Sequence, residues 1–154
     1  MTATIALAFL HHTAAVAVMA LLTVELVLLR LDLTPPVART ILRMDAAYGS
    51  AALVLLVVGL LRVFYTEKGT AYYFHSGTFL AKLTLFVIVG LLSIYPTMQF
   101  LRWRPALREQ RAPQLDAATR GRLRMLVHLE LTLLLVILLL APMMARGIGY
   151  FGSL

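Results

Sequence analysis

The chain has 154 residues, 61% of them hydrophobic and 14% charged, with no cysteine and 14 Lys+Arg against 7 Asp+Glu, a formal charge of +7. Soluble domains run near 45–50% apolar and about 25% charged, so a mean hydropathy of +0.88 excludes a water-facing globule and makes this an integral membrane protein. The lack of cysteine excludes a disulfide framework, an iron–sulfur site and a thiolate metal site, and the length allows one domain over residues 1–154.

A membrane-spanning helix needs about 20 mainly apolar residues, and four stretches qualify. The first is 5–29. It has no basic leader and a His pair interrupts its apolar run, so it is expected to be an uncleaved helix rather than a signal peptide. At 100° per residue, His11, Val18 and Glu25 share a face and His12 points elsewhere. The connection 31–44 holds Pro35-Pro36, which is expected to end one helix and start a turn.

The second span is 46–64, where Asp45, Tyr48, Gly49, Ala52, Gly59 and Arg62 recur at spacings of three and four. A connection with Gly69, His75 and Gly77 leads to the third span, 79–101, whose Lys82, Gly90, Ser93, Thr97 and Phe100 fall on one broad stripe. The arginine-rich segment 102–124, with Pro105 and Pro113, reads as a loop plus a short amphipathic helix. Its aromatics are not interleaved as a base-stacking platform requires, so no nucleic-acid partner is expected. The fourth span is 125–144, with His128, Thr132, Leu135, Leu139, Pro142 and Arg146 following a four–three spacing. One small-and-polar face per helix is the pattern of helices that pack in lipid. The expected fold is all-α, an integral membrane up-and-down four-helix bundle.

Basic residues set the orientation. Ten lie at or near the first and third connections (Arg30, Arg39, Arg43, Arg102, Arg104, Arg108, Arg111, Arg120, Arg122 and Arg124), and four lie on the opposite side (Arg62, Lys68, Lys82 and Arg146). The positive-inside rule places both termini outside, with anionic lipid as partner of the basic connection. The expected location is a bacterial inner membrane.

An ionisable side chain within a span costs roughly 2.5–3.5 kcal/mol at mid-helix and marks a functional candidate. Depth separates two groups by roughly 20–25 Å at about 1.5 Å per residue. The outer group is His11, His12, Arg62, Tyr72, Tyr73, His75, Lys82 and Arg146. Its imidazoles and cations suit haem b, which takes an imidazole on iron and cations at its propionates, with His11, His12, Arg62 and Lys82 as cofactor residues. A copper or other transition-metal site would use His11, His12 and His75. Gly59 and Gly90 would leave room for a flat macrocycle, and equally for helix packing. The inner group is Glu25, Arg30, Asp45, Tyr48, His128 and Glu130, and it is expected to pair opposite signs, Glu25 with Arg30 or His128 and Asp45 with an arginine of the first connection, either as a proton route or as simple neutralisation of charges that must lie in lipid. Arg62, Lys82 and Arg146 also read as snorkelling anchors, Tyr72, Tyr73, Tyr95 and Trp103 as interfacial aromatics, and Met143 and Met144 as packing.

Several motifs carry a resemblance over residues 8–104. His11-His12-Thr13, a first helix closing on Glu25-Leu26-Val27-Leu28-Leu29-Arg30, then Asp45-Ala46-Ala47-Tyr48-Gly49, Gly59-Leu60-Leu61-Arg62-Val63, Glu67-Lys68-Gly69 and Phe79-Leu80-Ala81-Lys82-Leu83 together resemble a family of predicted bacterial membrane proteins of unknown function. More distantly, the layout is similar to HemJ-type protoporphyrinogen oxidases and to the membrane domain of CopD-type copper-resistance proteins. The HemJ-type resemblance implies haem b, with His11 in the place of the first-helix histidine and Lys82 in that of the third-helix lysine. Where that pattern has a histidine just before the lysine, this chain has Leu80 and Ala81.

The leading expectation is a haem b or metal-binding redox protein, a membrane oxidoreductase with a membrane redox partner or a second copy of itself beside it. The alternatives are a copper- or cation-handling protein and a non-catalytic accessory or assembly subunit. A channel or transporter would require four helices without an evident repeat to oligomerise around a pore.

Overall fold

In the computed structural model, which describes residues 2–66 and 70–152, four helices are long and apolar enough to cross a membrane. Chain order gives α1 (Thr2–Leu28), α2 (Pro35–Leu61), a π-helical turn (Arg62–Thr66), α3 (Thr70–Phe74), α4 (Gly77–Leu101), α5 (Arg104–Arg108) and α6 (Ala117–Ala145). Lys68, counted above for orientation, and the Glu67-Lys68-Gly69 motif lie outside the described residues.

Two helices begin earlier than their apolar stretches. Thr34, in extended conformation, caps α2, and the Pro35-Pro36 pair opens that helix instead of separating two elements. Proline suits a first turn because its missing N–H has no intrahelical acceptor there and its φ is already helical. Asp116 caps α6, accepting from the Thr119 amide at 2.8 Å and the Thr119 hydroxyl at 2.7 Å. These hydrogen bonds, the hydroxyl's first, hold the Asp116 carboxyl below the usual carboxylate range. The basic connection therefore narrows to 102–116, and Arg120, Arg122 and Arg124 belong to α6.

The helices run up and down as two hairpins, α1 with α2 and α4 with α6, joined more sparsely through α1–α6 and α2–α4. Val18, Leu22, Leu26, Ile41, Val89, Phe100, Leu123, Val127 and Leu134 fill the interior. The lipid-facing surface is equally apolar, as expected where lipid is as apolar as the core: Leu53, Leu91, Leu135 and Leu139 are all exposed. Trp103 is buried against Phe100, ring centroids 4.9 Å apart, and is not part of an exposed aromatic belt.

Faces follow the expected registers in α1 and for most of α2, but not in α6. The stripe through His128, Thr132, Leu135 and Leu139 faces outward, and the buried one runs Leu123, Val127, Glu130 and Leu134. Thr132 explains the inversion, since its hydroxyl donates to the His128 carbonyl at 2.9 Å and needs no neighbouring helix. Gly49 and Gly90 are likewise exposed, with open space where a Cβ would stand.

Two local structures close the ends. At the end bearing the termini, the segment after α6 returns to the α3–α4 junction: Gly77 N–H donates to Gly149 O at 2.8 Å and Phe151 N–H to His75 O at 3.0 Å. Gly147 and Gly149 turn the chain at φ 74° and 82°. Tyr150 then stacks on Tyr72, centroids 4.8 Å apart. At the arginine-rich end, Arg39 Nη2 donates to Leu107 O at 2.9 Å and to Gln110 Oε1 at 2.7 Å, tying α2 to α5.

Candidate functional site

Near the end bearing the termini, the four spanning helices separate around a cavity of about 450 Å³, within the roughly 300–1,000 Å³ range of small-molecule sites. Each wall repeats at helical spacing. α1 supplies His11 and Ala15, α2 supplies Leu55 and Gly59, α4 supplies Phe79, Lys82, Leu83 and Phe86, and α6 supplies Ile137, Ala141 and Met144. Arg62 and Val63 enter from the π-helical turn and Tyr72 and Tyr73 from α3. A π turn inserts a residue into the helical register and re-aims the side chains that follow, and such turns are frequent at functional sites.

The lining is apolar except at a few points. His11 is half-buried, and its Nδ1 is buried with no hydrogen bond of normal geometry, the Leu55 carbonyl lying close enough to attract the ring. The imidazole lies against the bare backbone of Gly59, where a Cβ would stand 3.1 Å from Cε1. Arg62 and Lys82 are both within electrostatic reach of it. The Lys82 ammonium makes no hydrogen bond or ion pair among the described residues. Together these groups can receive a ligand with an apolar body, an acidic edge and an atom that accepts an imidazole nitrogen.

All four residues expected to hold a cofactor, His11, His12, Arg62 and Lys82, line this one cavity, in unequal roles. His12 is exposed, its Nδ1–H donates to the Ala8 carbonyl at 2.6 Å, and its ring meets His11 edge-on at 6.0 Å. His75 does not line the cavity; its Nδ1–H donates to the Ala71 carbonyl at 2.7 Å and its ring faces Phe151. The three histidines expected of a metal site are thus not assembled, and among the described residues no three His, Asp or Glu side chains group to hold a metal ion. Arg146 caps the end of α6, exposed and away from the cavity. Gly59 serves close packing against His11, whereas Gly90 lines nothing. Sequence reading missed the apolar walls, because Leu55, Phe86 or Ile137 facing a void has the same pattern as one facing a neighbour.

A second polar group sits on the same helices, about 21 Å further along α1 at 1.5 Å per residue. Glu25, Asp45 and Glu130 meet in the bundle interior within electrostatic reach of one another. Tyr48 OH donates to Glu130 Oε2 at 3.2 Å and Thr97 Oγ1 donates to Asp45 Oδ1 at 2.8 Å. The expected pairing with cations is not found. Arg30 and His128 are exposed, and among the described residues no Lys or Arg nitrogen lies within 4.0 Å of these carboxylates. Arginine stems carry their heads out to water from this depth, leaving the shorter carboxylates inside with hydroxyl donors.

The family described as "Predicted membrane protein (DUF2214)" matches residues 3–149. No curated protein and no solved structure matches the chain.

Proposed function

The chain belongs to the predicted membrane protein family DUF2214, and from that premise we propose that it is a haem b-binding redox protein of a bacterial inner membrane, with the cavity as its cofactor site. It is a multi-pass membrane protein, and the arginine-rich end is assigned to the cytoplasm on the positive-inside rule. That puts the cavity and both termini on the outer side.

The observation that carries this reading is the meeting of three unlike groups at one apolar cavity: the half-buried His11 imidazole and the Arg62 and Lys82 cations. An apolar slot with one imidazole and two cations matches what haem b needs, an axial nitrogen and partners for two propionates. His11 would hold the iron, and Arg62 and Lys82 would hold the carboxylates. When bound, the group supplies reversible one-electron transfer, its potential set by axial ligation and burial. The protein's own part is to exclude water with the Leu55, Phe86 and Ile137 walls, to orient His11 against Gly59, and to neutralise acidic charge at the cavity edge.

An absorption spectrum of the protein purified in detergent tests this. A Soret band that moves on reduction with dithionite and is lost in His11→Ala is the expected result. Absence of a Soret band after expression with haem precursor overturns the proposal.

A further inference from the structure

The carboxyl cluster does not belong to the cavity, and its chemistry is independent of what the cavity holds. We propose that Glu25, Asp45 and Glu130 form a proton-binding site within the membrane, in which a glutamate of the cluster is held as the protonated carboxyl.

The donor and acceptor inventory of the cluster carries the argument. Glu25 and Glu130 are each only 1% exposed. The Glu25 carboxyl makes no hydrogen bond to any described residue, and its Oε2 and the Oε1 of Glu130 are both buried without a partner. An ionised carboxylate only accepts hydrogen bonds, whereas a protonated one also donates. A proton added to either carboxyl removes its charge and turns one orphan acceptor into a donor.

Among the described residues, no element packed around the cluster pairs a cation with it. α1 supplies Glu25, α2 supplies Asp45 and Tyr48, and α6 supplies Glu130. α4 supplies the neutral Thr97 hydroxyl. The cations nearest in sequence, Arg30 and Arg43, are exposed, as are Arg124 and His128; Arg122 lies over the Tyr95 ring at 5.7 Å. Three carboxylates without a counter-charge in a low-dielectric interior repel one another and lose hydration. A bound proton removes both penalties. A metal cation would as well, but these side chains are not grouped to coordinate one. In the binding step a proton leaves hydronium in bulk water and adds to a carboxylate oxygen, forming one O–H bond and breaking none in the protein.

Infrared spectroscopy of the full chain in lipid nanodiscs at neutral pH provides the test. The expected result is a protonated-carboxyl C=O band that moves when glutamate is ¹³C-labelled and that is lost in Glu25→Gln or Glu130→Gln. Tyr48→Phe should shift the band, because it removes a hydrogen bond from the Glu130 carboxyl. The isotope arm uses the unsubstituted protein, so misfolding of a variant leaves the test intact. No protonated-carboxyl band at neutral pH would overturn the proposal. So would a band unchanged in each of Glu25→Gln, Asp45→Asn and Glu130→Gln, or one abolished by titrating sodium or potassium at constant pH, which would make a metal cation the occupant. Soret absorption is a separate readout, so either reading can fail without the other.

Discussion

A Cβ on Gly59 would stand 3.1 Å from Cε1 and 3.4 Å from Nδ1 of His11, closer than side chains ordinarily approach. The glycine on α2 therefore makes space for the imidazole on α1 that points into the cavity. Gly59→Ala would push the ring aside by a few tenths of an ångström while gaining up to about 1 kcal/mol of helix propensity. The expected variant is helical and at least as heat-stable as the parent, with a weakened or shifted Soret band. Gly49→Ala and Gly90→Ala, which meet open space, should gain a similar roughly 0.5–1 kcal/mol of stability and leave the spectrum unchanged. Circular dichroism melts beside absorption spectra separate the two effects.

Lys82 faces the cavity without a hydrogen-bond or ion-pair partner among the described residues. Lys82→Met keeps the length and apolar stem and removes the charge. A charge-assisted hydrogen bond contributes roughly 1.5–3 kcal/mol, so haem affinity should fall about tenfold or more in titrations of the apoprotein. The melting temperature should hold or rise. If affinity is unchanged, the ammonium only anchors the helix at the interface.

Tyr48 on α2 donates to the Glu130 carboxylate on α6, the one hydrogen bond that carboxylate receives among the described residues. Tyr48→Phe would leave both oxygens of a buried carboxyl without a donor, at a cost of about 1–3 kcal/mol. The double variant Tyr48→Phe/Glu130→Leu should lose less than the sum of the singles, since the orphaned group is gone. Denaturant unfolding in detergent measures each corner of the cycle.

Asp116 gives a pH dependence with a defined sign. Its carboxyl is held below the usual value by hydrogen bonds from Thr119. A group depressed in the folded state contributes stability above its unfolded value, about 3.9, and loses it as pH falls through the lower native value. The first turn of α6 should therefore lose protection only under acid conditions, read as faster hydrogen exchange at the Thr119 amide. Asp116→Asn keeps a capping acceptor and should abolish that pH dependence.

The spans were legible because a run of apolar residues long enough for a bilayer is hard to mistake. Their ends were not. Pro35-Pro36 breaks a helix when it falls inside one and starts one when it falls in the first turn, as it does here after the extended Thr34, and residues 117–124 are polar helix beyond the apolar stretch. The convergence of His11, Arg62 and Lys82 followed from register and depth alone. The face of α6 was misread for a local reason: a threonine that bonds its own helix looks, in sequence, like one that bonds a neighbour. Charge pairing was misjudged because sequence shows which signs lie at one depth, whereas side-chain length decides which of them reach water.

The bond pattern around Tyr150 sets an order of events. Tyr150 stacks on Tyr72, which lines the cavity, and Gly149 and Phe151 pair with the backbone of Gly77 and His75. During synthesis the cavity wall cannot close until α6 has crossed the membrane and the residues around 150 have emerged. Anything loaded into this site must therefore arrive after α6 is in place, because Ile137, Ala141 and Met144 form one of its walls.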